Sequence, residues 1–133
     1  QTRFKLVSCR WLIDEMTDWS GMMSQKELRD FFFDVLEGRD TSGFEASVHE
    51  DFIYIRETEM FTRDEFRDEV LSEFVNGTMV SSDLRVVFEN EKVIILDANV
   101  TRGEAYVKIT LCCMKKDGQL WRQMMTLDEI PRA

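Results

Sequence analysis

The chain has 133 residues, 44% of them hydrophobic, a size and composition that suit one domain with a core of its own. Its 26 acidic residues outnumber 17 Lys plus Arg, giving a formal charge of −9. An acidic surface repels nucleic acid and anionic membranes, so neither is expected as a partner.

No apolar run approaches the ~20 residues of a membrane span, and no signal-peptide pattern opens the sequence. The first residue is Gln1 rather than Met, so residues upstream are expected. The cysteines are Cys9, Cys112 and Cys113, an odd set without C-x-x-C or metal-type spacing. That pattern fits buried thiols in a reducing cytoplasm, with no metal and no cofactor expected. Cys112 and Cys113 are strand neighbours and point to opposite faces, so they do not share one site.

Residues 1–23 read as an N-terminal extension. Phe4 and Leu6 alternate as in a short strand, and Leu12, Met16 and Trp19 fall at helical spacing over about Ser8–Trp19, which Ser20-Gly21 closes. Ser24 to Glu27 forms a capping-box pattern. The following helix carries Leu28, Phe31, Phe32, Val35 and Leu36 as an apolar stripe, with Phe33 off it and Gly38 as its left-handed C-terminal residue. Thr41-Ser42-Gly43 is loop or a helix cap, and residues 44–49 suit a short helical turn. Asp51–Glu57 holds Phe52, Ile53, Tyr54 and Ile55 and reads as a strand buried on both faces. Thr62 to Glu65 is a second capping box, with acids placed to suit the helix dipole. It opens a helix lined by Phe66, Val70, Leu71 and Phe74, ended by Asn76-Gly77.

From Ser82 to Leu127 the sequence reads as a meander. A shorter strand alternates Leu84, Val86 and Phe88 with Arg85, Val87 and Glu89. A second presents Ile94, Leu96, Ala98 and Val100 on one face; a third runs from Ala105 to about Lys115, and a fourth from Leu120 to Leu127. Arg102-Gly103 and Asp117-Gly118 mark the hairpins, the latter suited to a type I′ turn. Two-residue turns put Val100 opposite Ala105, Leu96 opposite Ile109, Ile94 opposite Leu111, Leu111 opposite Met124 and Ile109 opposite Thr126. That face is apolar and expected to meet the helices. Its reverse pairs Asp97 with Lys108 and Asn99 with Tyr106, and carries Ile95, Met114, Trp121, Met125 and Leu127. Any bulge reverses the facings beyond it. Amphipathic helices against one sheet make an α+β layer architecture.

Four stretches carry a family resemblance over roughly residues 24–128. They are Leu28–Asp40 with its exit Glu37-Gly38-Arg39-Asp40, His49-Glu50-Asp51-Phe52-Ile53-Tyr54, Phe61-Thr62-Arg63-Asp64-Glu65-Phe66, and Lys116-Asp117-Gly118-Gln119-Leu120-Trp121. Their order resembles the nuclear transport factor 2-like superfamily, in its SnoaL-like group. The resemblance implies a curved antiparallel sheet wrapped around N-terminal helices as a cone with an internal pocket. It also implies a homodimer through the outer sheet face, which agrees with the apolar reverse side; the alternative is that residues 1–23 fold over that side.

Function divides two ways. One expectation is a SnoaL-like protein that binds an apolar small molecule in the cone and acts on it as an isomerase, cyclase or hydrolase; the other is a non-catalytic dimerisation or protein-binding module. The family's isomerases use a tyrosine on the first helix, an aspartic acid and a second acid near the end of the first strand. Here the helix offers Phe31, Phe32 and Phe33, and the strand ends in Arg56-Glu57. Its epoxide hydrolases use a carboxylate–arginine–carboxylate cluster, to which Arg56 and Asp97 contribute only if Asp97 faces inward. Catalytic residues are therefore unassigned.

The ligand-binding candidates are Tyr54, Arg56, Arg122 and Asp97. Tyr54 and Arg56 share a strand face; they orient a ligand, or Arg56 pairs with an acid. Arg122 has the inward parity of Leu120 and Met124, where it either meets an anionic ligand or extends its head to water. Asp97 is either an acid–base group in an apolar strand or an exposed partner of Lys108. His49, the only histidine, reads as a solvated or hydrogen-bonded residue at a strand start.

Overall fold

A computed structural model of the chain describes residues 27–130. The strand and helix expected within residues 1–23, and Ser24 itself, lie outside the described residues. Helix α1 (Leu28–Leu36) buries Leu28, Phe31, Phe32, Val35 and Leu36, the stripe read from the sequence. Glu27 is extended and is itself the N-cap, so it is not the third helical residue of a box begun at Ser24. Arg39, not Gly38, takes the left-handed conformation, at φ 55°. Gly38 is needed for a different reason: a Cβ there would lie 2.7 Å from the Asp34 carbonyl oxygen.

A short helix α2 (Phe44–Ser47) leads into strand β1 (Val48–Arg56), which turns at Glu57 (φ 55°) into the brief strand β2 (Glu59–Thr62). The capping box at Thr62 is formed in full. It starts α3 (Arg63–Glu65), which runs on through a π-helical stretch, Phe66–Leu71, into α4 (Ser72–Val75). Phe66, Val70, Leu71 and Phe74 are all buried. The π geometry widens the turn, and such widenings recur at functional sites.

Four long strands follow: β3 (Val80–Glu89), β4 (Val93–Arg102), β5 (Ala105–Lys116) and β6 (Gln119–Glu129). With the first two they form one six-stranded sheet in the order β2-β1-β6-β5-β4-β3. The sheet is mixed rather than wholly antiparallel, because β1 and β6 run parallel. The fold is α+β.

Two details of the register differ from the sequence reading. The β4–β5 hairpin turns at Gly103-Glu104, so Val100 faces Val107, Ala98 faces Ile109, Leu96 faces Leu111 and Ile94 faces Cys113. That shift is even and leaves every facing as expected. Asp117 and Gly118 both have positive φ, as a type I′ turn requires, and Lys116 pairs with Gln119. A bulge then intervenes: Lys115 pairs with Leu120, but Met114 pairs with Arg122, so Trp121 is the extra residue. This shift is odd and reverses all of β6 beyond it. Leu111 faces Met125 and Ile109 faces Leu127. Met125 is buried against the helices, whereas Met124 is 49% exposed on the reverse. A similar irregularity between Val86 and Phe88 turns Phe88 outward, where it is 50% exposed.

Three rows of the concave face follow from the pairings. Tyr54, Gln123, Cys113 and Ile94 cross the sheet in one row; Arg56, Met125, Leu111, Leu96 and Val86 form the next; Leu127, Ile109 and Ala98 the third. Cys112 is exposed and Cys113 buried, on opposite faces as expected. Among the described residues, no helix is long and apolar enough to cross a membrane.

Candidate functional site

The curved sheet does not close completely on the helices. A cavity of about 340 Å³ remains between the concave face, α1 and the helix that begins at Arg63. α1 supplies Phe31, Phe32, Val35 and Leu36 to its wall. The widened π turn and α4 supply Phe66, Val70, Leu71 and Phe74, and the sheet supplies Leu111 and Met125 among others. These walls follow directly from the apolar stripes of the two helices.

Two buried polar residues interrupt the apolar interior. Tyr54 and Gln123 are neighbours across the parallel β1–β6 pairing, and both line the cavity. Tyr54 is 3% exposed, its ring set against Phe61 and Phe66 with centroids 5.6 and 4.9 Å away. Burial raises its hydroxyl to about 12, against the lowering effect of Arg56, so the phenol stays protonated at neutral pH. Gln123 is 4% exposed, and its Oε1 is buried without a hydrogen-bond partner. Cys113, next in the row, is pushed upward by burial and remains a thiol.

Glu57, Glu59 and Arg102 border the cavity at its exposed rim, and Arg56 reaches it half-buried, beside Met125 on the concave face. Arg56 Nη2 donates to Glu59 Oε1 at 3.0 Å, with its guanidinium 4.9 Å from the Phe61 ring centroid. Arg102 Nη2 donates to Glu73 Oε2 at 2.9 Å. Of the cavity's lining residues, none of the interior ones carries a carboxylate or an imidazole. Among the described residues, no three His, Cys, Asp or Glu side chains converge as metal ligands would.

The structure brings Tyr54 and Arg56 together at this cavity and leaves Arg122 and Asp97 outside it. Arg122 does not face inward: the bulge at Trp121 turns it to the convex face. There Nη1 donates to the Asp51 and Trp121 carbonyls at 2.7 and 2.9 Å, and the guanidinium stacks 4.0 Å over the Trp121 ring. Asp97 also faces outward, as parity requires, but it is 7% exposed rather than open to solvent. Arg85 covers it, donating to both oxygens at 2.7 and 3.1 Å, while Lys108 approaches diagonally to 3.6 Å. Those hydrogen bonds from Arg85 hold the Asp97 carboxyl below its usual range. Lys108 faces Asn99 across the ladder, not Asp97, and Tyr106 faces Thr101. His49 lies away from the cavity; its Nδ1 accepts from the Asp51 amide at 3.0 Å, and Nε2 is 3.8 Å from Asp117.

Sequence reasoning missed Gln123, because two-residue hairpins alone turn it to the outer face. The signal was present: an inward arginine with no inward acid near it is costly. Placing one extra residue before Arg122 removes that cost and sends Gln123 in.

The convex face carries its own apolar row. Ile55, Met124, Cys112, Ile95 and Phe88 lie side by side across five strands, flanked by Met114, which is 50% exposed. Of the outer patch expected from sequence, Ile95 and Met114 are in place. Met125 and Leu127 are instead cavity residues, and Met124 takes their position.

The sequence matches no family model and no curated relative. Solved structures do match. A protein from Sphaerobacter thermophilus superposes with a TM-score of 0.60 at 16% identity, over 77% of this chain and 94% of that one. A candidate polyketide cyclase from Sinorhizobium meliloti gives 0.58 at 18% identity, over 78% and 97%. A candidate ketosteroid isomerase from Kribbella flavida gives 0.59 at 21% identity, over 80% and 78%. At these identities the likeness establishes the fold, which is that of nuclear transport factor 2-like proteins such as one from Cytophaga hutchinsonii.

Proposed function

We propose that this chain, built on the nuclear transport factor 2-like fold, is a SnoaL-like small-molecule-binding protein whose ligand sits in the cone. The observation that carries this is the cavity itself: about 340 Å³, apolar in its walls, with Tyr54 and Gln123 set side by side within it. Its size lies at the lower end of the ~300–1,000 Å³ typical of ligand pockets, and few polar groups in an apolar wall are what orient a ligand. The phenol of Tyr54 is available as a donor throughout the neutral range. Any chemistry on the ligand would rest on hydrogen bonding and polarisation, because the buried walls hold no carboxylate or imidazole to move a proton.

A thermal-shift screen of steroids, polyketide-like aromatics and small acids tests this. A ligand present at 100 times its Kd adds about 2.7 kcal/mol to stability, which such a screen detects readily. Ala105→Trp provides the control, because Ala105 is an exposed residue on the cavity rim and a larger side chain there obstructs it. Hits whose shift disappears in that variant support the proposal. A complete absence of hits among compounds of fitting size defeats it.

A second reading concerns the convex face. The contiguous row of Ile55, Met124, Cys112, Ile95 and Phe88 favours self-association of two copies through that surface. It is compatible with a ligand in the cone. Light scattering on the wild type and on Met124→Glu tests it: a dimer that the substitution dissociates is expected, and a strict monomer at high concentration excludes it.

A further inference from the structure

Among the charged groups that border the cavity, Arg56 is set apart by its burial. Its side chain is 27% exposed, against 62% for Arg102 and 59% for Glu59, and Glu57 is exposed as well. The guanidinium lies 4.9 Å from the Phe61 ring centroid, and the same ring packs against Tyr54. Among the described residues its hydrogen bond is the one from Nη2 to Glu59. A guanidinium carries five N–H donors, so most of the fork is left open beside the cavity. Glu59 is itself mostly in water, and an exposed pair of this kind binds weakly.

The neighbouring polar groups are donors too. Tyr54, two residues earlier on the same strand face, keeps its hydroxyl protonated because burial raises it more than the nearby Arg56 charge lowers it. Gln123 has its Oε1 closed off in the wall, which leaves Nε2, a donor, as the end of the amide that a ligand meets. A cluster of donors that includes a fixed positive charge is complementary to an anionic acceptor.

Resting on the reading that the cone binds a small molecule, we infer that its ligand is an organic acid, with a carboxylate held by Arg56 and the Tyr54 hydroxyl and an apolar body lying along Leu111, Ile109 and Val100. The carboxylate takes the edge of the guanidinium that Glu59 leaves free. Glu59 then acts as a competitor, a like charge that lowers the affinity for the acid. A neutral amide of the same shape meets the same donors without the charge, and an amine meets them with the wrong sign.

The experiment uses three probes of one shape, 2-naphthoate, 2-naphthamide and 2-naphthylmethylamine, titrated by calorimetry at pH 7 against the wild type, Arg56→Gln and Glu59→Gln. The wild type is expected to bind the acid about tenfold or more tightly than the amide, with the amine weakest. In Arg56→Gln the acid and the amide are expected to bind within about twofold of each other. Glu59→Gln is expected to bind the acid about threefold more tightly and the amide as before. If Arg56→Gln does not fold, Glu59→Gln, a change at an exposed side chain, reads the same electrostatics.

Equal binding of acid and amide by the wild type overturns the charge requirement while leaving the cavity as a ligand site. An acid preference that survives unchanged in Arg56→Gln, or an affinity for the acid that does not rise in Glu59→Gln, overturns the placement of the carboxylate. Tightest binding of the amine overturns the sign and points to Glu57 and Glu59. Failure of all three probes up to their solubility limits overturns this inference, while the broader thermal-shift screen still decides whether the cone takes a ligand of another kind.

Discussion

Gln123→Leu should make the protein more stable while impairing its site. Gln123 is 4% exposed and its Oε1 is unpaired. An unsatisfied buried acceptor costs about 1–3 kcal/mol relative to an apolar group of similar shape. Glutamine also surrenders more rotamer freedom on burial than leucine does, which adds to the same sign. For a domain of this size 1 kcal/mol corresponds to roughly 3–4 °C, so the melting temperature should rise by about 3–12 °C. Urea denaturation is the direct assay, with the midpoint moving up and the slope unchanged. A loss of about 1 kcal/mol or more would show that the amide is already satisfied without a ligand, and the argument from the orphaned acceptor would fail. Stability gained at the expense of binding is the usual signature of a residue kept for function.

Three further outcomes follow from the geometry. Met125→Lys should destabilise the protein by several kcal/mol, because it buries a charge whose ladder neighbour, Arg56, has the same sign, whereas Met124→Lys should leave monomer stability within about 0.5 kcal/mol; chemical denaturation of the two variants in the reverse order would mean that the bulge at Trp121 is absent. Thr62→Ala should cost about 0.5–2 kcal/mol in the same assay, because Thr62 Oγ1 accepts from the Glu65 amide and Glu65 Oε1 from the Thr62 amide. Asp97 has a carboxyl held below its ordinary value, first by its hydrogen bonds to Arg85, so its stabilising contribution is fully present above about pH 4 and disappears as pH falls through the lowered value. Stability measured from about pH 6 downward should therefore fall less steeply in Asp97→Asn than in the wild type, and parallel curves would refute this assignment.

Much of this architecture is legible in the sequence where local chemistry decides it. Asp117-Gly118 specifies its turn because both residues tolerate positive φ, and Thr62 with Glu65 specifies a helix start because each satisfies the other's backbone. The apolar stripe of α1 appears in full for the same kind of reason. What stays hidden depends on partners distant in the chain. The parallel contact of β1 with β6 has no local signature, and β2 is too short to show a period. The bulge at Trp121 is the most consequential case. No turn residue in Leu120-Trp121-Arg122 announces it, and the cost of an inward Arg122 is the sole hint, yet it exchanges Arg122 for Gln123 on the cavity side and so alters which candidate site residues meet. The facing of Tyr54 and Arg56 is legible because β1 is regular between them; that of Arg122 is not, because β6 carries the bulge.

The strand order has a bearing on how the protein comes into being. The hairpin of β1 and β2 is held to the remaining strands through β6, the last to be made. At synthesis rates of about 5–20 residues per second, several seconds separate the emergence of Tyr54 from that of Gln123. During that interval the Phe-rich helices have only a fragment of sheet to cover. Nascent chains stalled before Gln119 should accordingly engage chaperones and yield to protease, and resistance should arrive abruptly once the final strand clears the ribosome.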